Sequence, residues 1–78
     1  MKLIVLNLPR DLSEDGLAKL FKAHGSIKAC NLVLDEKTGI SKGFGFVEMA
    51  LADEAEIAIK TLHGSKINKN KIRVKPAD

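Results

Sequence analysis

The sequence predicts an α+β fold in the order β-α-β-β-α-β, with one four-stranded antiparallel sheet and two helices on one face. Three observations point to it. Four short stretches are rich in β-formers or alternate apolar and polar residues, the signals of a strand. Two stretches between them space apolar residues at i, i+3, i+4 and i+7, the period of a helix. The chain has 78 residues, 45% hydrophobic and 29% charged, which suits one folded domain over residues 1–78. A chain this short buries only roughly 60% of its unfolded surface, so a large enclosed active site is not expected.

Residues 2–6 are rich in β-formers and end at Asn7, Leu8 and Pro9, a strand exit. Ser13 is the expected N-cap of the first helix, with Glu14 and Asp15 where the helix dipole favours acids. Gly16 weakens that start and removes a capping box. Leu17, Leu20, Phe21 and His24 form the apolar stripe, and Gly25 is expected at the C′ position. Residues 27–34 read as the second strand, and Asp35 to Gly39 as a turn. Residues 42–49 read as the third strand. Ala55, Ala58, Ile59 and Leu62 mark a second helix over about 52–62, with Leu51 unable to cap it and Gly64 ending it. Residues 67–70 suggest a short hairpin, with Asn68 or Asn70 left-handed. Residues 71–75 read as the fourth strand. This order is the split βαβ, or ferredoxin-like, sandwich.

No apolar run approaches the roughly 20 residues of a membrane span, so no membrane partner is expected. The run from Leu3 to Leu6 is too short for a signal-peptide core. A single cysteine, Cys30, excludes an internal disulfide and any multi-cysteine metal site. It sits in an alternating apolar run and reads as a buried thiol in a reducing compartment. The expected setting is cytoplasmic for a complete bacterial protein, or nuclear for a domain cut from a eukaryotic one. Charge is uneven. Residues 1–57 hold 7 basic and 9 acidic residues, a balance of −2, and residues 58–78 hold 6 and 1, a balance of +5. A basic C-terminal strand points to a polyanionic partner.

Two helices cover only one face of a four-stranded sheet, which leaves the other open to water. Alternation sends Leu3, Val5, Val47, Met49, Ile72 and Val74 inward. It sends Lys2, Ile4 and Leu6 outward on the first strand, and Ala29, Asn31 and Val33 on the second. The third strand sends out Lys42, Phe44, Phe46 and Glu48; the fourth sends out Lys71, Arg73 and Lys75. All three aromatics of the chain are Phe, and two of them fall on this face. Leaving a ring exposed forfeits roughly 1.5–3 kcal/mol of burial. Only three residues follow the fourth strand, too few to cover the sheet. Rings beside Lys42, Arg73 and Lys75 suit a single-stranded nucleic acid, whose bases stack on rings while cations meet its phosphates.

The stretch from Lys42 to Met49, Lys-Gly-Phe-Gly-Phe-Val-Glu-Met, resembles the octamer signature of the RNA recognition motif family. Met49 departs from it, standing where that signature has an aromatic. Residues 3–8 resemble the family's looser hexamer signature, and the likeness runs from Leu3 to Ala77. The compact chain beginning at Met1 is similar to small single-motif proteins of bacteria, or to one domain of a larger protein. The resemblance implies that Phe46 stacks on a base, Phe44 packs against sugars and Lys42 pairs with a phosphate. It implies that Arg73, Lys75 and the backbone near Ala77 contact the nucleotides crossing the last strand. It implies that Asn31 and Glu48 hydrogen-bond base edges. Position 4 is normally a second stacking ring, and here it is Ile4; Lys69 stands where the family often has Gly. These departures imply modest affinity and low sequence specificity.

Two other uses of the fold compete with single-stranded RNA binding. The apolar set Ile4, Leu6, Val33, Phe44 and Phe46 could seat a peptide or a second copy of the chain as a weak homodimer, and Ile57 adds an exposed apolar side chain on the second helix. Single-stranded DNA is a further candidate ligand. Catalysis is not expected: His24 and His63 lack a paired nucleophile, and nothing completes a site around Asn7 or Arg10. No cofactor or metal is implied.

Overall fold

The computed structural model describes residues 1–77. The order of elements is β1 (Lys2–Leu6), α1 (Glu14–Lys22), β2 (Ile27–Leu34), β3 (Ser41–Met49), α2 (Ala52–Leu62), β4 (Lys66–Ile67), β5 (Asn70–Lys71) and β6 (Arg73–Pro76). Four strands form one sheet in the order β2-β3-β1-β6, and each neighbouring pair is antiparallel. β4 and β5 form a separate two-stranded hairpin. The ferredoxin-like α+β fold is therefore present, with that hairpin added.

The helices begin as their first residues dictate. Ser13 Oγ accepts the Gly16 amide at 3.0 Å, so one orphan N–H of α1 is satisfied. Leu51, at the N-cap of α2, makes no side-chain cap. α1 stops earlier than its apolar stripe suggests. Ala23 is the C-cap, and His24 donates to the Phe21 carbonyl in a tightened last turn. His24 thus takes the C′ position expected for Gly25. α2 ends as expected, with Gly64 following the cap residue His63 at φ +82°.

Both helices bury their stripes on one sheet face. Leu17 and Phe21 from α1 meet Ala55, Ala58 and Leu62 from α2 over Leu3, Val5, Val47, Met49, Ile72 and Val74. Truncating a buried Phe costs roughly 3–5 kcal/mol. Phe21 is fully buried, so it carries a large share of a small domain's stability. The loop residue Leu8 joins the core because Asn7 turns left-handed at φ +60° and the Leu8 amide bonds the Gly43 carbonyl at 2.7 Å.

The last strand departs from its expected span of 71–75. Lys71 pairs with Lys66 in the hairpin, and the sheet strand starts at Arg73. Ile72 lies between them. Its amide donates to the Ser65 carbonyl at 2.9 Å and its carbonyl accepts from Gly64 at 2.8 Å. Those two bonds to the end of α2 hold the chain out of both ladders. The hairpin turn is left-handed at Asn68 (φ +50°) and at Lys69 (φ +85°), rather than at Asn70.

The edge strand β2 is partly closed by α1. Glu14 Oε2 accepts the Leu32 amide at 3.0 Å, which occupies a backbone donor that an edge strand would otherwise offer to another chain. Among the described residues, no helix is long and apolar enough to cross a membrane.

Candidate nucleic-acid interface

Register builds the open face in rows. Phe46 sits opposite Asn31 on β2 and opposite Ile4 on β1, and Ile4 in turn sits opposite Lys75 on β6. One row therefore reads Asn31, Phe46, Ile4, Lys75 across all four strands. The next row has Ala29, Glu48 and Lys2, and the Ala77 amide extends it by donating to the Lys2 carbonyl at 2.8 Å. On the other side of the first row, Leu6 faces Arg73. The second-strand outward set holds, with Ala29 and Asn31 exposed and Val33 half-buried.

Phe44 and Phe46 stand edge to face, with centroids 6.3 Å apart and planes at 83°. This is a favourable aromatic geometry, with the edge of one ring against the face of the other. Lys2 Nζ lies 5.5 Å from the Phe46 centroid, a cation–π distance. Both rings are half-buried, because each shields the other and neighbouring side chains flank them. Lys42, Arg73, Lys75, Asn31 and Lys2 are exposed, while Ile4, Leu6 and Glu48 are half-buried.

Two glycines set this geometry. A Cβ on Gly45 would meet the Asn31 carbonyl oxygen at 2.7 Å and Leu17 Cδ2 at 3.1 Å. Its missing side chain therefore lets β2 and α1 close in on β3, on the side away from the rings. Gly43 is left-handed at φ +88°, a conformation costly to other residues. The strand is irregular there. Leu32 to Leu34 on β2 spans two residues while the partners Gly45 to Ser41 span four. Ser41, which is buried, braces the irregularity by accepting the Gly43 amide at 3.1 Å. The alternation expected for β3 is thus broken at its start, yet Lys42 stays exposed beside Phe44.

The structure adds a side chain to the basic set. Arg10, in the loop after β1, lines the same pocket as Lys42, Phe44 and Arg73. Its charge suits an oxyanion on sequence alone, but no period governs a loop residue, so its spacing did not place it on this face.

The titratable groups off this face are tied to structure. His63 Nδ1 lies 3.1 Å from both the nitrogen and the carbonyl oxygen of Val74, where the Val74 amide donates to it, and so links the end of α2 to β6. Burial pushes the Cys30 thiol above its ordinary range, and the charges of Glu14 and Asp15 add to that. A raised thiol pKa leaves less nucleophilic thiolate. Among the described residues, no group of three or more His, Cys, Asp or Glu could hold a metal ion.

The sequence model of the RNA recognition motif family matches residues 3–73. The chain is 38% identical over 77 residues to the chloroplastic RNA-binding protein CP31B of Arabidopsis thaliana, covering 99% of this chain and 27% of that protein. Among solved structures, it matches RNA Binding Protein PG1 at 35% identity and TM-score 0.95, covering 99% of this chain and 93% of that one. It matches the Sxl-lethal protein in its RNA complex at 36% identity and TM-score 0.94, covering 99% and 46%. The chain spans between 19% and 33% of the length of the curated relatives it matches.

Proposed function

The chain belongs to the RNA recognition motif family, and we propose that it binds single-stranded RNA across its open sheet face. One observation carries this reading. Two aromatic rings stand together on a face that neither helix covers, with exposed cations around them. Bases stack on rings for roughly 1–3 kcal/mol each, and cations meet the phosphates between them. An RNA complex of a similar chain supports the same use of the fold.

The roles we assign come from the family resemblance, applied to side chains on this face. Phe46, at the centre of the sheet, stacks on a base. Phe44 packs against the neighbouring sugars. Lys42 and Arg73 at one end, and Lys75 at the β6 edge, take phosphates. Asn31 and Glu48 reach base edges from β2 and β3. The Ala77 amide is engaged by Lys2, so contact there goes through its carbonyl. Lys2, above Phe46, reinforces the stack with its charge. Ile4 offers no π face at the centre of the row, so affinity is modest and base preference low. Stacking is sequence-tolerant, which admits single-stranded DNA as a weaker ligand. The partly buried Cys30 thiol fits a reducing, intracellular setting, cytoplasmic or nuclear.

Self-association through this face is disfavoured by charge. Two copies packed face to face would bury Lys42, Arg73 and Lys75 of each within the interface, and desolvating these cations opposes binding.

The test is titration of the wild-type protein and of the Phe44→Ala/Phe46→Ala double variant with a single-stranded RNA pool. Loss of roughly 1–3 kcal/mol per ring is expected. With about three phosphates neutralised, the logarithmic salt slope should lie near −2. Unchanged affinity in the double variant overturns the platform. Sedimentation with and without RNA detects a dimer if the face serves that purpose instead.

A further inference from the structure

We propose that the pocket beyond Phe44 is a subsite for a nucleotide that continues off the sheet, with its phosphate held by Arg10, Lys42 and Arg73. This rests on the RNA-binding reading and extends it to the β1–α1 loop. The pocket measures about 570 Å³, within the roughly 300–1,000 Å³ typical of small-molecule sites. Leu6 and Phe44 give it an apolar wall, and the three cations give it a charged rim. A second depression of about 550 Å³ shares Arg10, Lys42 and Phe44 and runs on toward the β2–β3 loop. One ring and two cations thus serve two adjoining hollows, which is a path rather than an isolated dent.

The cations come from three separate parts of the chain: the loop after β1, the start of β3, and β6. None of the three makes an ion pair with another described residue. Like charges brought together without an acid repel each other unless an anion joins them. Asp35, the one acid in the second depression, is committed to its own turn, where Oδ1 accepts the Lys37 and Thr38 amides at 2.8 and 3.1 Å.

The walls are fastened in place. Asn7 Nδ2 donates to the Lys71 carbonyl at 2.8 Å, and Asn70 Nδ2 donates to the Asn7 carbonyl at 3.3 Å. The Leu8 amide bonds the Gly43 carbonyl at 2.7 Å. The exit of β1 is therefore tied both to the hairpin and to β3, so Arg10 leaves a braced segment. A preformed site loses less freedom on binding than one that must order itself.

Arg10→Ala tests this, since Arg10 is exposed and lies outside the core. Wild-type and variant are titrated with a tetranucleotide and an octanucleotide of oligouridine across a salt series, followed by amide NMR. For the octanucleotide, the variant should bind at least about tenfold more weakly, the scale of one lost charge-assisted contact. Its salt slope should be shallower by about 0.7, one phosphate's worth. Tetranucleotide binding should change by less than about twofold, on the same scale. Asn7, Gly43 and Asn70 signals should move with the octanucleotide only. Equal losses at both lengths, or none at either, overturn the subsite. The two readings fail separately. If Phe46→Ala leaves the tetranucleotide unaffected, the sheet platform falls. If Phe46→Ala weakens it while Arg10→Ala spares the octanucleotide, only the pocket falls.

Discussion

Ile4 sits directly opposite Phe46 on one side and Lys75 on the other. An isoleucine therefore occupies the middle of the row that a nucleic acid would cross. Its side chain is half-buried and contributes contact area without a π face. Ile4→Tyr places a third ring on the face, opposite Phe46, with its hydroxyl free to reach solvent. RNA binding should tighten by roughly 1 kcal/mol or more, the scale of one base stacked on a ring. Isothermal titration of both proteins with the same oligonucleotide checks it. An unchanged affinity would mean that the strand does not pass over β1.

Lys69 is held at φ +85° in the β4–β5 turn, next to Asn68 at +50°. A two-residue turn with both central residues left-handed suits Asn followed by Gly. A side chain with a Cβ in that region costs roughly 1–2 kcal/mol, while Gly loses about 0.5–1 kcal/mol in chain entropy on folding. Lys69→Gly should therefore stabilise the domain by roughly 0.5–1 kcal/mol, or a few degrees in melting temperature at this size. Urea and thermal unfolding measure it. A loss of stability would show that the lysine side chain makes up for its backbone strain.

Local signals were legible in the sequence, and non-local ones were not. The ends of β1, β2 and α2 match the periodicity because alternation, helical spacing and Gly64 act within a few residues. The paired outward rings at 44 and 46 were legible for the same reason. Ile72 shows the limit. Its alternation with Val74 is perfect, yet bonds to Gly64 and Ser65 split one expected strand into β5 and β6. Gly43 shows it again, since an irregular ladder depends on how β2 pairs with β3. Gly45 reads as a weak strand residue until Leu17 and the Asn31 carbonyl are found against it. Arg10 lies in a loop whose direction follows from the Asn7, Lys71 and Asn70 bonds, all distant in sequence.

Asp35 makes the β2–β3 loop sensitive to acid. The Lys37 amide, and then the Thr38 amide, donate to its carboxylate and hold its pKa below the ordinary aspartate value. The same loop is closed by Gly39 donating to the Asp35 carbonyl and Asp35 donating to that of Ile40, each at 2.8 Å. A carboxyl with a lowered folded pKa stabilises the fold above its unfolded pKa. That contribution fades as pH falls through the lower folded value. The loop should therefore be unchanged from neutral pH down to roughly pH 4 and loosen only below it. The Lys37 and Thr38 amide signals should report this, moving together in an acid titration with a midpoint below that of a free aspartate. Asp35→Asn keeps an acceptor oxygen but cannot titrate, so it should preserve the turn and remove the step. Asp35→Ala should loosen the loop at every pH. A midpoint at the ordinary aspartate value, or a step that survives in Asp35→Asn, would assign the transition to another group.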